Sequence, residues 1–344
     1  MNRRTFLRAV AGSTALPLFP AAPDVRFGLD LFSIRSQNWD AFQYLDYAAK
    51  FGIKVVHFSE IRFIGSLEDE YLKKVRAHAE KLGIQVEIGM RSICPTSSAF
   101  DGKAGTAQEQ ITRMLHSATV VGSPFVRCFL GTFNDRRTDG GIDRHIENTV
   151  EVLRSVRSRV VDSGLKIAIE NHAGDMQGRE LKSLIEAAGK DFVGACLDSG
   201  NPLWAIEDPH LTLETLAPYV LTSHIRDTAV WRVPEGAAVA WVRMGEGNVG
   251  IAEYIEKYGR LCPGRALSLE IIVTGPRIYP YLADAKFWDA YRTTPAWEFS
   301  RFLAIAERGK PKPSDPPVPK GQEAERERED LEASIRWTKE RLKA

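Results

Sequence analysis

The sequence has 344 residues, of which 44% are hydrophobic and 26% are charged, so it can form a large buried core and differs from a disordered chain. The formal net charge is +1, and without residues 1–22 the chain has 43 basic and 45 acidic residues, a net charge of −2. This balance excludes a strongly basic nucleic-acid-binding protein. The four cysteines contain no C-x-x-C pair and none of the spacings of small disulfide-rich proteins.

Residues 1–22 have the layout of an export signal, with a basic start, a short apolar stretch over 9–19 and small residues at the end. The adjacent Arg3 and Arg4, followed by Phe and Leu at 6–7, resemble a twin-arginine signal. We therefore predict a periplasmic or otherwise exported protein that is not stably inserted in the membrane after signal removal. The alternatives are a basic, disordered N-terminus and an uncleaved signal anchor, and the cleavage site is not clear.

Eight short apolar runs follow, without strict alternation of polar and apolar residues, as expected for parallel strands buried on both faces. They lie at 26–32, 54–58, 85–90, 125–130, 166–170, 193–198, 220–224 and 266–272. Stretches with helical periodicity lie between them, at 39–50, 67–81, 108–121, 145–161, 180–188 and 251–258. This alternation over residues 24–308 predicts an α/β protein of the (β/α)8 TIM-barrel class. No G-x-G-x-x-G motif follows a strand, which argues against a Rossmann fold.

Two further segments follow the last predicted strand. Residues 275–300 contain seven aromatic residues, which we expect either to pack as a surface helix or to form a wall of the substrate pocket. Residues 309–344 are predicted to form a proline-rich linker and then a charged helix, whose apolar stripe contains Leu331, Ile335 and Leu342. We expect this helix to pack on the barrel or on a neighbouring subunit, so a homo-oligomer remains one of the alternatives.

Four consecutive predicted strands end in side chains that can bind a metal ion. Strands five and six end in Glu170 and Asp198, and strands seven and eight end in His224 and Glu270. The C-terminal ends of barrel strands converge on the mouth of the barrel, so these side chains are expected at the same level. Each residue alone would more simply be a strand end with a local hydrogen bond. Together, three carboxylates and one imidazole predict a site for one divalent metal ion, and Mn²⁺, Mg²⁺, Co²⁺ and Zn²⁺ all suit it.

Short motifs surround these strand ends. They are LDLFSIR at 29–35, ENH at 170–172, LDSGN at 197–201, HIRD at 224–227 and GEG at 245–247. Their order and spacing resemble the sugar phosphate isomerase/epimerase superfamily, the xylose-isomerase-like TIM barrels, from about residue 26 to 272. The resemblance implies that the four strand-end residues bind one divalent metal ion. It also implies that Glu170 and Glu270 act as the acid/base pair.

Polar residues near the predicted site are candidates for substrate contacts. They are Arg35, His57, Glu60, Arg91, His172, Asn201, Arg226 and Asp227. Structural alternatives are a loop cap for His172, a salt bridge for Arg226 and Asp227, and a satisfied core histidine for His57. Arg35 and Arg91 suit an anionic or polyhydroxylated ligand. Related ketose epimerases place a substrate-contacting histidine at the position of Asn201, so the resemblance does not extend to their particular substrate.

The predicted site suits proton transfer at a carbon atom next to a carbonyl group. A metal ion stabilises the enediolate that forms, and a carboxylate removes and returns the proton. We predict a divalent-metal-dependent isomerase or epimerase that acts on a free carbohydrate, because an exported enzyme rarely meets sugar phosphates. A lyase or dehydratase acting on keto-sugars or keto-inositols would use the same site. A non-catalytic periplasmic sugar-binding barrel is the third alternative.

Overall fold

The computed structural model describes residues 24–312 and 318–343. The predicted export signal lies outside the described residues and stays a prediction. Within the described residues there are eleven strands. They are β1 (Val25–Asp30), β2 (Val55–Phe58), β3 (Gln85–Ser92), β4 (Phe125–Phe129), β5 (Lys166–Glu170), β6 (Val193–Asp198), β7 (Val220–Ile225), β8 (Asp227–Val233), β9 (Gly236–Val242), β10 (Arg265–Leu269) and β11 (Arg277–Tyr279).

Eight of these strands close into a parallel barrel with the order β1-β10-β7-β6-β5-β4-β3-β2. Every residue of β2, β4 and β6 is buried, because one face of each strand meets the helices and the other faces the barrel interior. Phe125, Ala168 and Cys196 pack together as a small apolar cluster contributed by three neighbouring strands. The eight predicted apolar runs coincide with these eight strands, so the (β/α)8 prediction is confirmed.

Ten helices lie in the described part of the chain, and none is long and apolar enough to cross a membrane. They are α1 (Ala41–Lys50), α2 (Ile61–Ile64), α3 (Asp69–Leu82), α4 (Ala107–Val121), α5 (Gly141–Asp162), α6 (Gly178–Ala188), α7 (Pro209–Leu216), α8 (Ile251–Leu261), α9 (Ala296–Arg308) and α10 (Glu323–Leu342). Local sequence sets their ends: Thr106 and Glu109 form a capping box at the start of α4, and Gly122 ends it with a left-handed φ of 83°.

The remaining three strands form a small sheet that the sequence analysis did not predict. β8 and β9 form an antiparallel hairpin that follows β7 after a single residue, and β11 pairs with the other edge of β9. The chain turns between Val233 and Gly236, and the glycine has a φ of 155° that other residues rarely adopt. Because β7 ends at the mouth of the barrel, the hairpin adds residues to that end of the molecule.

The C-terminal helix α10 packs on the barrel of its own chain. Leu331 and Ile335 are 0% and 1% exposed and belong to the main hydrophobic core. Asp330 accepts hydrogen bonds from Arg243 at 2.6 Å and from Arg326 at 3.0 Å. Of the two packing partners predicted for this helix, the barrel is therefore the one observed. The described residues between α9 and α10 form no helix or strand, and the proline-rich linker over this segment stays a prediction.

Candidate active site

Four side chains meet at the carboxyl end of adjacent barrel strands. Glu170 and Asp198 are the last residues of β5 and β6. His224 lies in β7, and Glu270 directly follows β10. The register places Asp198 opposite His224, and His224 opposite Ser268, two residues before Glu270. One ligand atom from each of the four lies within 4.8 Å of the others, so the structure brings together all four predicted metal ligands.

His224 is the central member of this group. Its Nδ1 lies 3.0 Å from Oε2 of Glu170 and 3.1 Å from Oε2 of Glu270. Its other ring nitrogen, Nε2, lies 2.9 Å from Nδ1 of His57. Burial alone would lower the pKa of His224, but the surrounding negative groups, including Glu170 and Asp30, raise it well above its ordinary value. Nδ1 is buried and has no hydrogen-bond partner of suitable geometry.

Two buried arginines pair with the same carboxylates. Arg127, in β4, donates a hydrogen bond from Nε to Oε2 of Glu170 at 2.7 Å, and its Nη2 contacts the same oxygen. Arg226, directly after β7, donates through Nη2 to Oδ2 of Asp198 and to Oε2 of Glu270. The three carboxylates of the group are therefore all paired with a guanidinium, and such pairing is required for charges in a buried position.

These contacts shift the pKa values of the carboxylates in different directions. Burial would raise the pKa of Glu170 and Glu270, but the guanidinium beside each outweighs burial. The pKa of Glu170 therefore lies well below its usual range, and that of Glu270 is lowered to about 2. Burial dominates at Asp198, where it raises the pKa to about 7 in spite of Arg226. The two glutamates are thus ionised at neutral pH, whereas Asp198 titrates there.

The group fits a divalent metal ion. Three carboxylates and one imidazole form an oxygen-rich donor set of the kind that Mn²⁺, Mg²⁺, Co²⁺ or Zn²⁺ accepts. A metal ion would also supply the partner that Nδ1 of His224 lacks. The raised pKa of His224 favours its protonated form, so protons compete with a metal ion for this imidazole. Arg226 contacts both Asp198 and Glu270 and so holds two of the proposed metal ligands next to each other.

A cavity of about 340 Å³ opens next to these residues. Its volume lies at the lower end of the range of small-molecule sites, roughly 300–1,000 Å³, so it suits a small ligand. Its polar lining consists of Ser59, Glu60, Arg91, Arg127, His172, Asn201, Arg226 and Glu270. Its apolar lining consists of Phe32, Phe129, Trp204, Trp241 and Ile272.

Aromatic rings form much of the apolar lining. Trp204 and Trp241 stack with their ring centroids 4.1 Å apart and their planes at 10°. The guanidinium of Arg226 lies 4.3 Å from the centroid of Trp241, which the hairpin strand β9 contributes. A Cβ atom at Gly200 would lie 2.4 Å from Cγ of Arg226, so a glycine is needed for this arrangement. Flat rings of this kind can stack on the carbon face of a sugar.

Five of the predicted substrate contacts line this cavity, namely Glu60, Arg91, His172, Asn201 and Arg226. His172 donates from Nδ1 to the carbonyl oxygen of Gly131 at 2.7 Å, and burial lowers its pKa, so its ring is neutral. Asn201 donates from Nδ2 to Oε1 of Glu170 at 3.2 Å, while its Oδ1 has no partner. Both side chains are therefore held in place beside the proposed metal ligands.

The structure places three predicted substrate contacts outside the cavity, namely Arg35, His57 and Asp227. Arg35 follows the short helix after β1 and pairs with Glu327 of α10 at 3.4 Å. His57 is fully buried in the barrel, where it contacts His224. Asp227 accepts hydrogen bonds from the backbone N–H groups of Gly245 and Gly247, each at 2.9 Å. All three side chains are engaged by the fold and do not reach a ligand in the cavity.

Arg127, Trp204 and Trp241 belong to the site but were not predicted from the sequence. Arg127 carried a signal, because it is the charged residue within the apolar strand β4, and a charge buried on both faces of a strand needs a partner. Trp241 also carried one, since two β-rich runs around Pro-Glu-Gly at 234–236 are typical of a hairpin. Trp204 follows β6 in a short helical turn, and its local sequence contains no comparable signal.

The aromatic residues of segment 275–300 pack on one another. Trp288 lies edge-on to Phe299 with centroids 4.9 Å apart, and Phe287 stacks on Tyr291 at 5.1 Å. None of the seven lines the cavity, and Trp297 is 56% exposed. Of the two alternatives for this segment, packing is observed, and the aromatic wall of the cavity comes from other elements.

Comparison with known protein families places the fold. The sequence profile described as "Xylose isomerase-like TIM barrel" matches residues 45–291. Among curated proteins, the chain is 26% identical over 188 residues to a 3-oxo-isoapionate decarboxylase from Pectobacterium atrosepticum, with 55% of this chain covered. The chain spans 61% and 55% of the length of two curated relatives that it matches, which is less than two thirds of each.

Solved structures show the same architecture. A D-psicose 3-epimerase with D-tagatose from Clostridium cellulolyticum H10 has a TM-score of 0.57 at 16% identity, and the match covers 82% of this chain and 98% of the epimerase. An IOLI protein with a binding zinc atom has a TM-score of 0.54 at 16% identity, with 81% of this chain and 99% of that protein covered. At these identities the likeness shows the shared fold alone.

Proposed function

Because the chain belongs to the xylose isomerase-like TIM barrel family, we propose that it is a sugar-modifying enzyme with one divalent metal ion on its four strand-end residues. The proposed reaction is the isomerisation or epimerisation of a free sugar or keto-sugar by proton transfer next to a carbonyl group. One observation carries this proposal, namely that Glu170, Asp198, His224 and Glu270 offer ligand atoms within 4.8 Å of one another. A cavity large enough for a monosaccharide lies beside them.

Glu170 and Glu270 are the proposed acid and base. They come from the ends of β5 and β10, which β6 and β7 separate in the barrel, so they approach a bound substrate from different sides. One carboxylate removes the proton and the other returns it on the opposite face in an epimerisation, whereas an isomerisation can use one of them. A divalent ion held by the four residues supplies Lewis-acid stabilisation of the enediolate.

Arg127 and Arg226 have a proposed electrostatic role. Their guanidiniums contact the carboxylates of the group and are themselves buried. Fixed positive charges in a site with little water stabilise the negative charge that develops on an enediolate. The same contacts favour the ionised form of the two glutamates, which is the form that can accept a proton from the substrate.

The cavity lining supports a polyhydroxylated ligand. Asn201 Oδ1 and the Nε1 atoms of Trp204 and Trp241 are buried polar atoms without hydrogen-bond partners, in residues that line the cavity. A hydroxyl group can both donate to the amide oxygen and accept from an indole N–H. Sugar hydroxyls would therefore satisfy groups that otherwise carry a desolvation cost.

The curated relative favours a second candidate reaction in the same site, because its name states that it decarboxylates 3-oxo-isoapionate. In the decarboxylation of a 3-oxo acid, the bond between the carboxylate carbon and C2 breaks and its electron pair enters the enolate of the C3 carbonyl. CO₂ leaves, and a proton from solvent adds to C2. A lyase that expels a leaving group after enolisation would use the same carboxylates.

We also propose export to the periplasm by the twin-arginine route, which the sequence of residues 1–22 supports. This location favours free sugars over sugar phosphates as substrates. Cell fractionation tests it: replacing both Arg3 and Arg4 by lysine should retain the full-length protein in the cytoplasm. An unchanged distribution of this variant would overturn the export proposal and leave the site chemistry untouched.

Proton NMR in D₂O tests the proposed reaction with the metal-loaded protein and a panel of ketoses, aldoses, keto-sugars and keto acids. Deuterium should appear at the carbon next to a carbonyl group, and EDTA should abolish this exchange. The product then separates the candidates, since an epimer or isomer retains every carbon atom and a decarboxylation releases CO₂. Absence of exchange across the panel, in protein that holds its metal, would contradict both reactions.

A further inference from the structure

Arg91 is a charged residue of the cavity lining that the proposed chemistry does not use. It lies near the end of β3, its side chain is exposed, and it lines the cavity. Arg127 and Arg226 also line the cavity, but both are buried and paired with carboxylates. Within the described residues, no hydrogen bond, ion pair or ring contact engages Arg91. Arg91 therefore lines the cavity, and the N–H donors of its guanidinium have no partner in the described part of the chain.

The neighbouring acidic residue does not supply the missing counter-charge. Glu60 lines the same cavity, but its Oε2 accepts a hydrogen bond at 2.5 Å from Nε of Arg62, the second residue after it. Glu270, the other carboxylate of the lining, is held by Arg226 and His224. Each acidic side chain of the lining thus already has a cationic partner, and Arg91 has none.

The net charge of the metal-loaded site also favours an anionic substrate. Three carboxylates from Glu170, Asp198 and Glu270 face the two guanidiniums of Arg127 and Arg226. A divalent ion turns this balance into an excess of one positive charge, and Arg91 adds a second. A neutral sugar leaves this excess without a counter-charge, whereas an anionic substrate reduces it.

We propose that the substrate of this site is a sugar acid, and that Arg91 binds its carboxylate. The inference rests on the proposed function for the sugar chemistry and adds the class of substrate. A guanidinium presents a planar pair of N–H donors that matches the two oxygens of a carboxylate. One free arginine balances the single charge of a carboxylate.

Binding measurements on matched ketoses test the proposal with the full-length protein loaded with Mn²⁺. The pair 2-keto-D-gluconate and D-fructose differs in one group, because the acid carries a carboxylate where the ketose carries a hydroxymethyl group. The pair 5-keto-D-gluconate and L-sorbose differs in the same way. Isothermal titration calorimetry should show that at least one acid binds about 10- to 100-fold more tightly than its neutral partner, as expected for a charge-assisted contact. The preference should weaken at high salt.

The variant Arg91→Gln should abolish this preference by weakening the binding of the acid and leaving that of the neutral ketose unchanged. Arg292→Gln is the matched control, because Arg292 is 76% exposed and does not line the cavity. Equal affinities for acid and neutral partner in both pairs would overturn the proposal, as would a preference that survives in Arg91→Gln. Tighter binding of D-fructose 6-phosphate than of either keto acid would also overturn it, in favour of a phosphate.

Deuterium exchange on the same ligands separates this inference from the proposed function. Deuterium exchange into D-fructose or L-sorbose without a preference for the acids would support the proposed enolisation and contradict the proposal of a sugar-acid substrate. Tight binding of a keto acid through Arg91, without exchange or CO₂ release, would establish the carboxylate subsite and remove the proposed reaction.

Discussion

The imidazole rings of His57 and His224 lie side by side in the barrel, with Nδ1 of His57 2.9 Å from Nε2 of His224. Neither side chain is exposed. When Nδ1 of His224 binds a metal ion through its lone pair, the ring proton must lie on Nε2, which then donates to His57. His57 can accept, because burial and the neighbouring His224 hold its pKa well below its ordinary value and keep it neutral. His57 is thus placed to orient a metal ligand.

Replacement of His57 should therefore weaken metal binding. The variant His57→Phe keeps a planar ring in the buried position and removes the acceptor for His224. We expect the affinity for a divalent ion to fall about 10- to 100-fold, the usual effect of losing such a supporting contact. Competition with a chromogenic chelator measures this affinity. His116→Gln is the control, since His116 is 61% exposed, and it should bind metal like the unchanged protein. Equal affinity in folded His57→Phe would contradict the orienting role.

The two proposed acid/base residues should be separable from metal binding by conservative substitution. In Glu170→Gln and Glu270→Gln the amide oxygen can still bind the ion, but the side chain can no longer take up a proton. We expect metal to be retained at saturating concentration and deuterium exchange to fall about 10²- to 10⁴-fold. Metal content and the exchange rate are measured on the same samples.

Asp198→Asn provides the matched comparison for this prediction. Asp198 belongs to the same group of ligands but has no proposed part in proton transfer. Its substitution should lower the metal affinity, and exchange should recover when the metal concentration is raised. A non-catalytic sugar-binding barrel predicts a different pattern, with sugar binding in all three variants and no exchange even in the unchanged protein.

The barrel could be predicted because strands buried on both faces are continuous apolar runs. The predicted runs 125–130 and 193–198 differ from Phe125–Phe129 and Val193–Asp198 by at most one residue. The β8–β9 hairpin was not predicted, since it is a local antiparallel addition that starts one residue after a barrel strand. The alternation of strands and helices that indicates a barrel does not reveal such an insertion, and its signal was the local Pro-Glu-Gly turn at 234–236.

The proposed metal ligands could be predicted for a topological reason, because parallel strands of a barrel bring their last residues to the same level. Arg127 could not be placed in this way. Arg127 lies two residues before Phe129 in β4, so the side chains of Arg127 and Phe129 point to the same face of the strand. Phe129 is the residue that pairs with Glu170, so Arg127 needs its long side chain to reach the carboxylate of Glu170. The ion pair of Arg35 could not be predicted either, because its partner Glu327 lies almost 300 residues away in the sequence.

A buried carboxylate outside the cavity should make stability depend on pH. Burial raises the pKa of Glu207 to about 7 from an ordinary value of 4.5, although Oε2 accepts hydrogen bonds from Thr212 and Gly178. Between these two pH values the unfolded chain loses the proton while the folded chain retains it. The contribution of Glu207 to the free energy of unfolding therefore falls as pH rises from 4.5 to about 7.

The variant Glu207→Gln has no titrating carboxyl group at this position, so its free energy of unfolding should not show this fall with rising pH. Roughly two pKa units or less of the shift fall between pH 5 and pH 7. The free energy of unfolding of Glu207→Gln minus that of the unchanged protein should therefore rise by about 2 kcal/mol over this range. Urea unfolding at both pH values, with EDTA present, measures the difference. Glu147→Gln, at an exposed carboxylate, should show no such trend. A difference between Glu207→Gln and the unchanged protein that stays constant with pH would contradict the assignment.

The C-terminal helix should contribute directly to the stability of the barrel. Leu331 is 0% exposed and belongs to the main core, and Glu327 of the same helix accepts a hydrogen bond from the backbone N–H of Ser36 at 2.8 Å. The variant Leu331→Ala should lower the free energy of unfolding by about 2–4 kcal/mol, since it leaves a cavity in a packed core. Leu282→Ala, at a side chain that is 60% exposed, should change it by less than about 0.5 kcal/mol.

If α10 were instead loosely attached, Leu331→Ala would leave the main unfolding transition unchanged. If it packed on another copy of the chain, the unfolding midpoint would depend on protein concentration. Because its apolar stripe is buried in its own barrel, we expect one transition that is independent of concentration.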